Sequence, residues 1–321
     1  MASNHKTLSG AKANQFDEFY TRIEDIENEL RYYKPHFKGK TVLCNCDDPR
    51  VSNFFRYFSL NFEALGLKKL IATCYKNNEP DLFSTKSSEQ AVYIIYEGDK
   101  NGNFVPDPSE MDVIPLKGDG DFRSDECVEL LKECDIVCTN PPFSLWSEFV
   151  SLILRYHKKF LVLGNPNAVT YKNIFPYVKN NEIWVGVTKY NVGMFYEVPD
   201  YAPKYHHIEN GKKIARVSTS CWWTNLDNKR RKEKVILIKH YNPEEYPKYD
   251  NFDAIEVGDY RNIPMDYDGI MGVPITFMGH YNPEQFEIVG DACNGSDHEW
   301  DYFKPTIGGE FIYKRLLIRR K

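Results

Sequence analysis

Short apolar runs alternate with longer stretches of helical spacing through the first half of the chain. Thr41–Cys46, Lys68–Tyr75, Ile136–Cys138, Lys159–Gly164 and Ile183–Val187 read as strands. Most are near-continuous apolar runs, as in strands buried on both faces. Between them lie helical patterns. Asp17 opens one with Ile23, Ile26 and Leu30 on a single face, and Pro35 ends it. Val51–Leu65 follows, with Phe54, Phe55, Phe58 and Phe62 inward. Ser124–Lys132, Leu145–Tyr156 and a stretch near Tyr171–Lys179 complete the set. This alternation predicts an α/β fold built on a doubly wound, mostly parallel sheet.

Two regions depart from that rhythm. Asn77–Met111 is polar, with hairpin-like pieces at Ala91–Tyr96 and Asn103–Val105, and reads as an insertion on the sheet. From Thr188 onward Gly, Tyr, Pro and Lys dominate. Strand-like runs there are short, at Cys221–Thr224 and Val235–Ile238, and turn chemistry marks Tyr246–Asp250 and Pro264–Gly269. Met271–Phe277 and Phe286–Gly290 then return to apolar strand patterns. The boundaries expected are a polar tail over 1–15, a catalytic core over 16–187, a recognition region over 188–270, and a return to the core with a basic tail over 271–321.

Composition narrows the class. At 321 residues, 42% hydrophobic, the chain can bury a core without staples. No run approaches the roughly eighteen apolar residues of a membrane span, and the first residues lack a signal-peptide core, so a cytoplasmic protein is expected. Several of the eight cysteines sit inside apolar strand-like runs, where a free thiol behaves as a small hydrophobe. Cys44 and Cys46 share a strand face, but no second pair stands at zinc spacing, so no metal is expected. The net charge of -5 argues mildly against a nucleic-acid partner. Its distribution qualifies this, because Asn228–Lys232 and Lys314–Lys321 concentrate positive charge late in the chain. Each run reads equally as a solvated face or as a DNA contact.

The chemistry concentrates at Asp135–Phe143, DIVCTNPPF. An apolar strand is stopped by two prolines that cannot donate to a ladder. Asn140 is thereby held in a stiff turn beyond the strand, with Phe143 on the same turn. Ligands of open α/β sheets bind outside the carboxyl ends of strands. An amide, a fixed carbonyl and an aromatic face at that point can hold a flat amino-bearing ring.

Asn140-Pro141-Pro142-Phe143 resembles the Asn/Asp/Ser-Pro-Pro-aromatic catalytic tetrapeptide of S-adenosylmethionine-dependent amino-methyltransferases, in the Phe form of the adenine-N6 DNA enzymes. FDEFYTRIEDIENEL from Phe16, LCNCDDPRVSNFFRYF from Leu43, GDGDFRS from Gly118 and MGVPITFMGHYNPEQFEIVG from Met271 resemble the EcoRI-type adenine-specific DNA methyltransferases. The resemblance implies a Rossmann-like, class I methyltransferase core with an inserted or C-terminal DNA-recognition region. It implies methyl transfer to N6 of a flipped adenine in double-stranded DNA, in restriction–modification or as an orphan or phage-encoded enzyme. A monomer would suffice, and a cognate endonuclease is not required for activity. The alternatives are methylation of RNA adenine or of a protein glutamine amide, or a catalytically dead DNA-binding relative.

The resemblance also assigns residues. Asn140, Pro141, Pro142 and Phe143 are the catalytic candidates. Tyr20 and Thr21 would cover the methionine end of S-adenosylmethionine, the alternative being an amphipathic helix with packing aromatics. Asn45 and Asp47 stand at the first strand's carboxyl end, where a carboxylate can pair with the cofactor's ammonium or accept from ribose; the alternative is a helix cap at Asp47 or Asp48. Asp121 and Phe122, with Asp119, would hold the cofactor's adenine, or else form a turn capping the next helix. The family's glycine-rich loop is absent, and Tyr75-Lys76 stands where an acid for the ribose is common.

Overall fold

Numbered along the chain, the central sheet contains β2 (Thr41–Cys44), β3 (Lys69–Thr73), β4 (Val92–Tyr96), β5 (Met111–Pro115), β6 (Ile136–Thr139), β7 (Lys159–Gly164), β8 (Trp184–Val185) and β12 (Cys221–Thr224). Their spatial order is β5-β4-β3-β2-β6-β7-β12-β8. The computed structural model describes residues 20–46, 52–73, 91–103, 105–188, 190–198, 200, 202–293 and 298–321. The four middle strands, β3-β2-β6-β7, pair in parallel. β4 and β12 run against their neighbours, so six of the eight strands point the same way. The sheet is thus mostly parallel in direction and mixed at both edges.

Successive residues of the middle strands bury on opposite faces, as the pleat requires. Leu43, Ile71, Val137 and Val162 face the helices Asp125–Glu133, Trp146–Arg155 and Phe175–Lys179. Val42, Leu70, Ile136 and Leu161 face Ile23–Leu30, Asn53–Leu60 and Phe62–Leu65. Helices on both faces explain why these strands read as unbroken apolar runs. Each such side chain contributes about 1.5–3 kcal/mol by leaving water.

Helix starts follow local capping chemistry. Ser52 accepts from the Phe55 N–H, and Ser124 accepts from the Cys127 N–H at 3.3 Å. Asp125 and Glu126 in the first turn and Lys132 in the last suit the helix dipole.

Several expectations are corrected. Pro35 does not end the first helix; Ile23–Leu30 stops earlier, and Pro35 opens a short second helix, Lys34–Phe37. A proline in a first turn forfeits an N–H that has no partner anyway. The expected Val51–Leu65 helix is two, broken at Asn61, whose amide donates to the Tyr57 carbonyl at 2.8 Å. The polar insertion supplies β4, which extends the central sheet, and its hairpin partner is β5, not Asn103–Val105. Val235–Ile238 forms no ladder, and Ile236 and Ile238 lie exposed.

Three smaller sheets surround this core. β1 (Tyr20–Thr21) pairs with β9 (Met194–Val198), beyond which lie β11 (Lys212–Val217) and β10 (His207–Glu209). A second sheet runs β13 (Ile255–Glu256), β14 (Met271–Pro274), β18 (Arg315–Arg320), β15 (Phe286–Ala292). Its Met271, Val273, Ile288, Leu316 and Ile318 join the core on the Trp146–Arg155 face. The returning apolar runs therefore build their own sheet and pack on the core without extending the central one. A hairpin, β16 (Thr306–Ile307) with β17 (Glu310–Phe311), completes the set.

Candidate active site

The chain reverses its direction of travel between β2 and β6. From β2 it moves outward through β3, β4 and β5, then crosses back to place β6 on the other side of β2. That reversal is a switch point, where open sheets leave a crevice at the strands' carboxyl ends. β2 and β6 are in register there, with Leu43 opposite Val137. The Thr139 hydroxyl at the end of β6 donates to the Asn45 carbonyl beyond β2, tying the crevice walls together.

Asn140-Pro141-Pro142-Phe143 leaves β6 at this point. Pro141 is buried, while Asn140, Pro142 and Phe143 are half-buried. The Leu145 N–H donates to the Pro142 carbonyl at 3.0 Å, which closes the turn and feeds the Trp146–Arg155 helix. Trp146 anchors that helix by donating its indole N–H to the Leu163 carbonyl at 2.7 Å. Gly164 on β7 must be glycine here, because a Cβ would overlap the Trp146 ring. The aromatic side of the turn leans on the opposite core: Phe143 packs against the cluster that holds Cys138 and Met194.

The expected cofactor residues fall into two groups. Thr21 lies on β1, not in a helix, and its carbonyl accepts from the Asn53 amide at 2.8 Å. Asn53 opens the helix that follows β2, so Thr21 is held against the β2–helix unit. Tyr20 sits beside it, half-buried, opposite Glu197 of β9. Asn45 is buried at the end of β2. The Thr21 hydroxyl and the Asn45 side-chain oxygen are both buried and meet no hydrogen-bond partner among the described residues. Buried polar atoms are normally satisfied. Two such atoms beside one crevice fit a ligand carrying its own donors, such as an ammonium or a ribose hydroxyl. Asp47 lies outside the described residues.

The second group is the turn Gly118–Ser124. Asp119 accepts from the Asp121 N–H at 3.0 Å, and Gly120 between them has φ 84°. Asp121 accepts from Arg123 at 2.6 and 2.9 Å, and this guanidinium holds its carboxyl below the usual range. Arg123 also reaches Glu148 on the Trp146–Arg155 helix at 3.3 Å. Phe122 is 8% exposed, its ring edge-on to Phe149 at 5.1 Å. The turn is thus fastened to the helix that follows Asn140, with Phe122 serving as a packing residue in that joint.

Three features escaped the sequence reading. Cys46, two residues beyond β2, has φ 79°, in the left-handed region although it is not a glycine. Such backbone carries a strain of order 1–3 kcal/mol. Arg123–Glu148 left no sequence signal. Glu29 did leave one: a carboxylate on the inward face beside Ile26 and Leu30. It is fully buried, accepting from Val187 N–H, Thr188 N–H and the Thr188 hydroxyl, each at 2.6 Å, and from the Tyr33 hydroxyl at 3.0 Å. Burial pushes its pKa up.

Among the described residues, three potential metal donors converge at Asp291, Cys293 and Asp301, away from Cys44 and Cys46. The buried Asp291 carboxylate there lies 3.2 Å from His298 Nε2.

Comparison with known proteins adds to this geometry. Residues 7–321 match the family model described as adenine-specific methyltransferase EcoRI. The chain belongs to the EcoRI family of adenine-specific methyltransferases. A type II methyltransferase of Escherichia coli, M.EcoRI, is 45% identical, with all of this chain and 99% of the relative aligned. M.MgeORF184P of Mycoplasma genitalium is 41% identical over 88% of this chain and 86% of its own length. M.MpnI of Mycoplasma pneumoniae is 40% identical over 88% and 85%. No solved structure matches the chain. For this EcoRI-family methyltransferase, the turn at Asn140 is the catalytic candidate that both the motif and the sheet's switch point single out.

Proposed function

We propose that the protein transfers a methyl group from S-adenosylmethionine to N6 of an adenine flipped out of double-stranded DNA, as a type II modification enzyme. The observation that carries this is the position of Asn140-Pro141-Pro142-Phe143 at the carboxyl end of β6, across the switch point from Asn45 just beyond β2. The central sheet is then a Rossmann-like class I methyltransferase core. Residues 16–187 bind the cofactor and carry catalysis, 188–270 read the target, and 271–321 rejoin the core. A monomer acting in the cytoplasm suffices for one methylation per visit and requires no partner endonuclease.

Adenine's amine is a poor nucleophile because its lone pair is delocalised into the ring. The Asn140 side-chain oxygen and the Pro141 carbonyl are the acceptors for the two amine hydrogens. Accepting both favours a tetrahedral nitrogen and stabilises positive charge as it develops. Phe143 stacks on the base and fixes its plane. The two prolines keep the acceptors from relaxing away. Thr21, Tyr20 and Asn45 hold the methionine and ribose side of the cofactor, together with Asp47, while the Asp119–Phe122 turn borders its adenine. When bound, S-adenosylmethionine supplies an electrophilic methyl on a positively charged sulfur. Holding amine and methyl in line contributes about 7–11 kcal/mol. Flipping the base costs a few kcal/mol, offset by pocket stacking and backbone contacts.

The test is transfer of labelled methyl from S-adenosylmethionine to unmethylated DNA, with RNA and protein substrates in parallel and nucleoside analysis of the products. The expected result is N6-methyladenine in DNA alone. Label in RNA or protein would move the substrate assignment. Cofactor binding with no transfer to any substrate would make this chain a dead relative.

A further inference from the structure

The two basic runs late in the chain bind most of their charge to the protein's own groups. Arg230 donates to the Val187 carbonyl. The Arg231 guanidinium lies 3.5 Å over the Trp184 ring and binds Asn181. Lys232 pairs with Asp227 at 2.8 Å. At the C-terminus, β18 is an inner strand, with Leu316, Leu317 and Ile318 fully buried. Its Arg315 pairs with Glu256 at 2.6 Å and its Arg319 with Glu287 at 3.0 Å. Neither run is a free cationic arm.

Within these runs, Lys314 has a setting of its own. Lys314 lines a groove of about 670 Å³ together with Lys172, Lys304, Tyr171, Tyr313 and Ser147. No carboxylate among the described residues forms an ion pair with Lys304 or Lys314. They lie over aromatic rings instead, Lys304 at 3.9 Å from Phe311 and Lys314 at 5.8 Å from Tyr313. Ser147 belongs to the first turn of the helix that begins just after Phe143. Tyr171 and Lys172 belong to the segment leaving the carboxyl end of β7, next to β6. One wall of the groove is therefore carried by the same strand ends that carry Asn140.

The other wall is the chain on either side of the β16–β17 hairpin, Lys304 and Ile312–Lys314, and the hairpin is held rigidly. Asp250 accepts from the Gly308 and Gly309 N–H groups at 3.1 and 2.8 Å, and its own N–H donates to the Thr306 carbonyl at 2.8 Å. Asn251 donates to the Lys304 carbonyl at 3.1 Å. The hairpin nevertheless leaves Phe303, Phe311 and Tyr313 exposed by 73, 66 and 66%. Rigid backbone, exposed aromatics, and Lys304 and Lys314 without an ion-paired carboxylate among the described residues make a surface suited to a polyanion that also offers flat rings.

We infer that the groove between the Tyr171-Lys172 segment and the β16–β17 hairpin seats the phosphodiester backbone of duplex DNA beside the target adenine. This rests on the function proposed above and locates where the duplex lies. Lys172, Lys304 and Lys314 supply ammonium groups to successive phosphates, acting as point charges. Tyr171 and Tyr313 supply hydroxyl donors and ring faces. Base reading stays with the 188–270 region, whose Asp250 and Asn251 fix the hairpin, so backbone grip and base reading are mechanically joined.

Phosphate contacts do not depend on sequence, so the probe is a random-sequence duplex. Its affinity is measured against salt for the wild type, for the triple variant Lys172→Ala/Lys304→Ala/Lys314→Ala, and for Lys132→Ala. Lys132 closes the Asp125–Glu133 helix and pairs with Glu129. The triple variant is expected to lose about 0.9 of the log–log slope per phosphate contact removed, close to 3 in all. S-adenosylmethionine affinity should not change, which reports an intact fold, and Lys132→Ala should keep the wild-type slope. An unchanged slope in the triple variant, with DNA methylation by the wild type intact, overturns the groove alone. An equal slope loss in Lys132→Ala overturns it too, since charge would then act diffusely. A wild type that binds no duplex overturns both readings.

Discussion

Thr21 and Asn45 carry polar atoms that the fold buries and leaves unmatched among the described residues. A buried hydroxyl without a partner costs about 1–3 kcal/mol. Thr21→Val should therefore leave urea-unfolding stability unchanged or raise it, while weakening S-adenosylmethionine binding about tenfold by calorimetry. A structural hydroxyl would give the opposite pattern, with lower stability and normal affinity. Asn140 was legible in the sequence because a strand-like run and two prolines leave it no other place. Phe122 was less legible: the Asp-Phe pair reads as a hold on the cofactor's adenine or as part of a turn capping the next helix. The structure sets it against Phe149. Cys46 could not be read at all, since left-handed backbone at a non-glycine residue has no sequence mark.

At the scale of elements, the helix Ile23–Leu30 is fixed by Glu29 as much as by its apolar face. Glu29 gathers four donors, two of them backbone N–H groups of Val187 and Thr188. Gly186 passes so close that a Cβ there would meet Glu29 and Trp222. Glu29→Ala leaves those donors buried and unpaired. The expected loss is at least about 3 kcal/mol in urea unfolding, with Glu29→Gln in between. A loss below about 0.5 kcal/mol would show that water replaces the carboxylate. Elements set by neighbouring residues were readable: Lys159–Gly164 runs from the first to the last residue expected. Elements set by distant partners were not. Tyr20 and Thr21 are a strand only because Glu197 and Tyr196 of β9 lie opposite. Val235–Ile238 has the composition of a strand, but among the described residues no strand lies beside it, and the Gln285 side chain pairs with the Val235 backbone instead.

At the scale of the molecule, the alternation of strands and helices announced a wound sheet, and burial on both faces bears it out. The strand order had no signature in the sequence, and the order creates the crevice between β2 and β6. The separate β13-β14-β18-β15 sheet was equally hidden, because its basic strand β18 reads as a tail until Glu256 and Glu287 are seen to pair with it. The central claim is that this crevice, with Asn140 on its wall, performs the transfer. The most direct measurement compares Asn140→Ala with wild type in single-turnover methylation of DNA, with S-adenosylmethionine affinity and thermal stability measured on the same samples. The account predicts a loss of transfer of at least about a hundredfold, as for removal of one preorganised polar group at a reacting centre, with cofactor affinity and stability retained. Near-normal turnover by Asn140→Ala would contradict it.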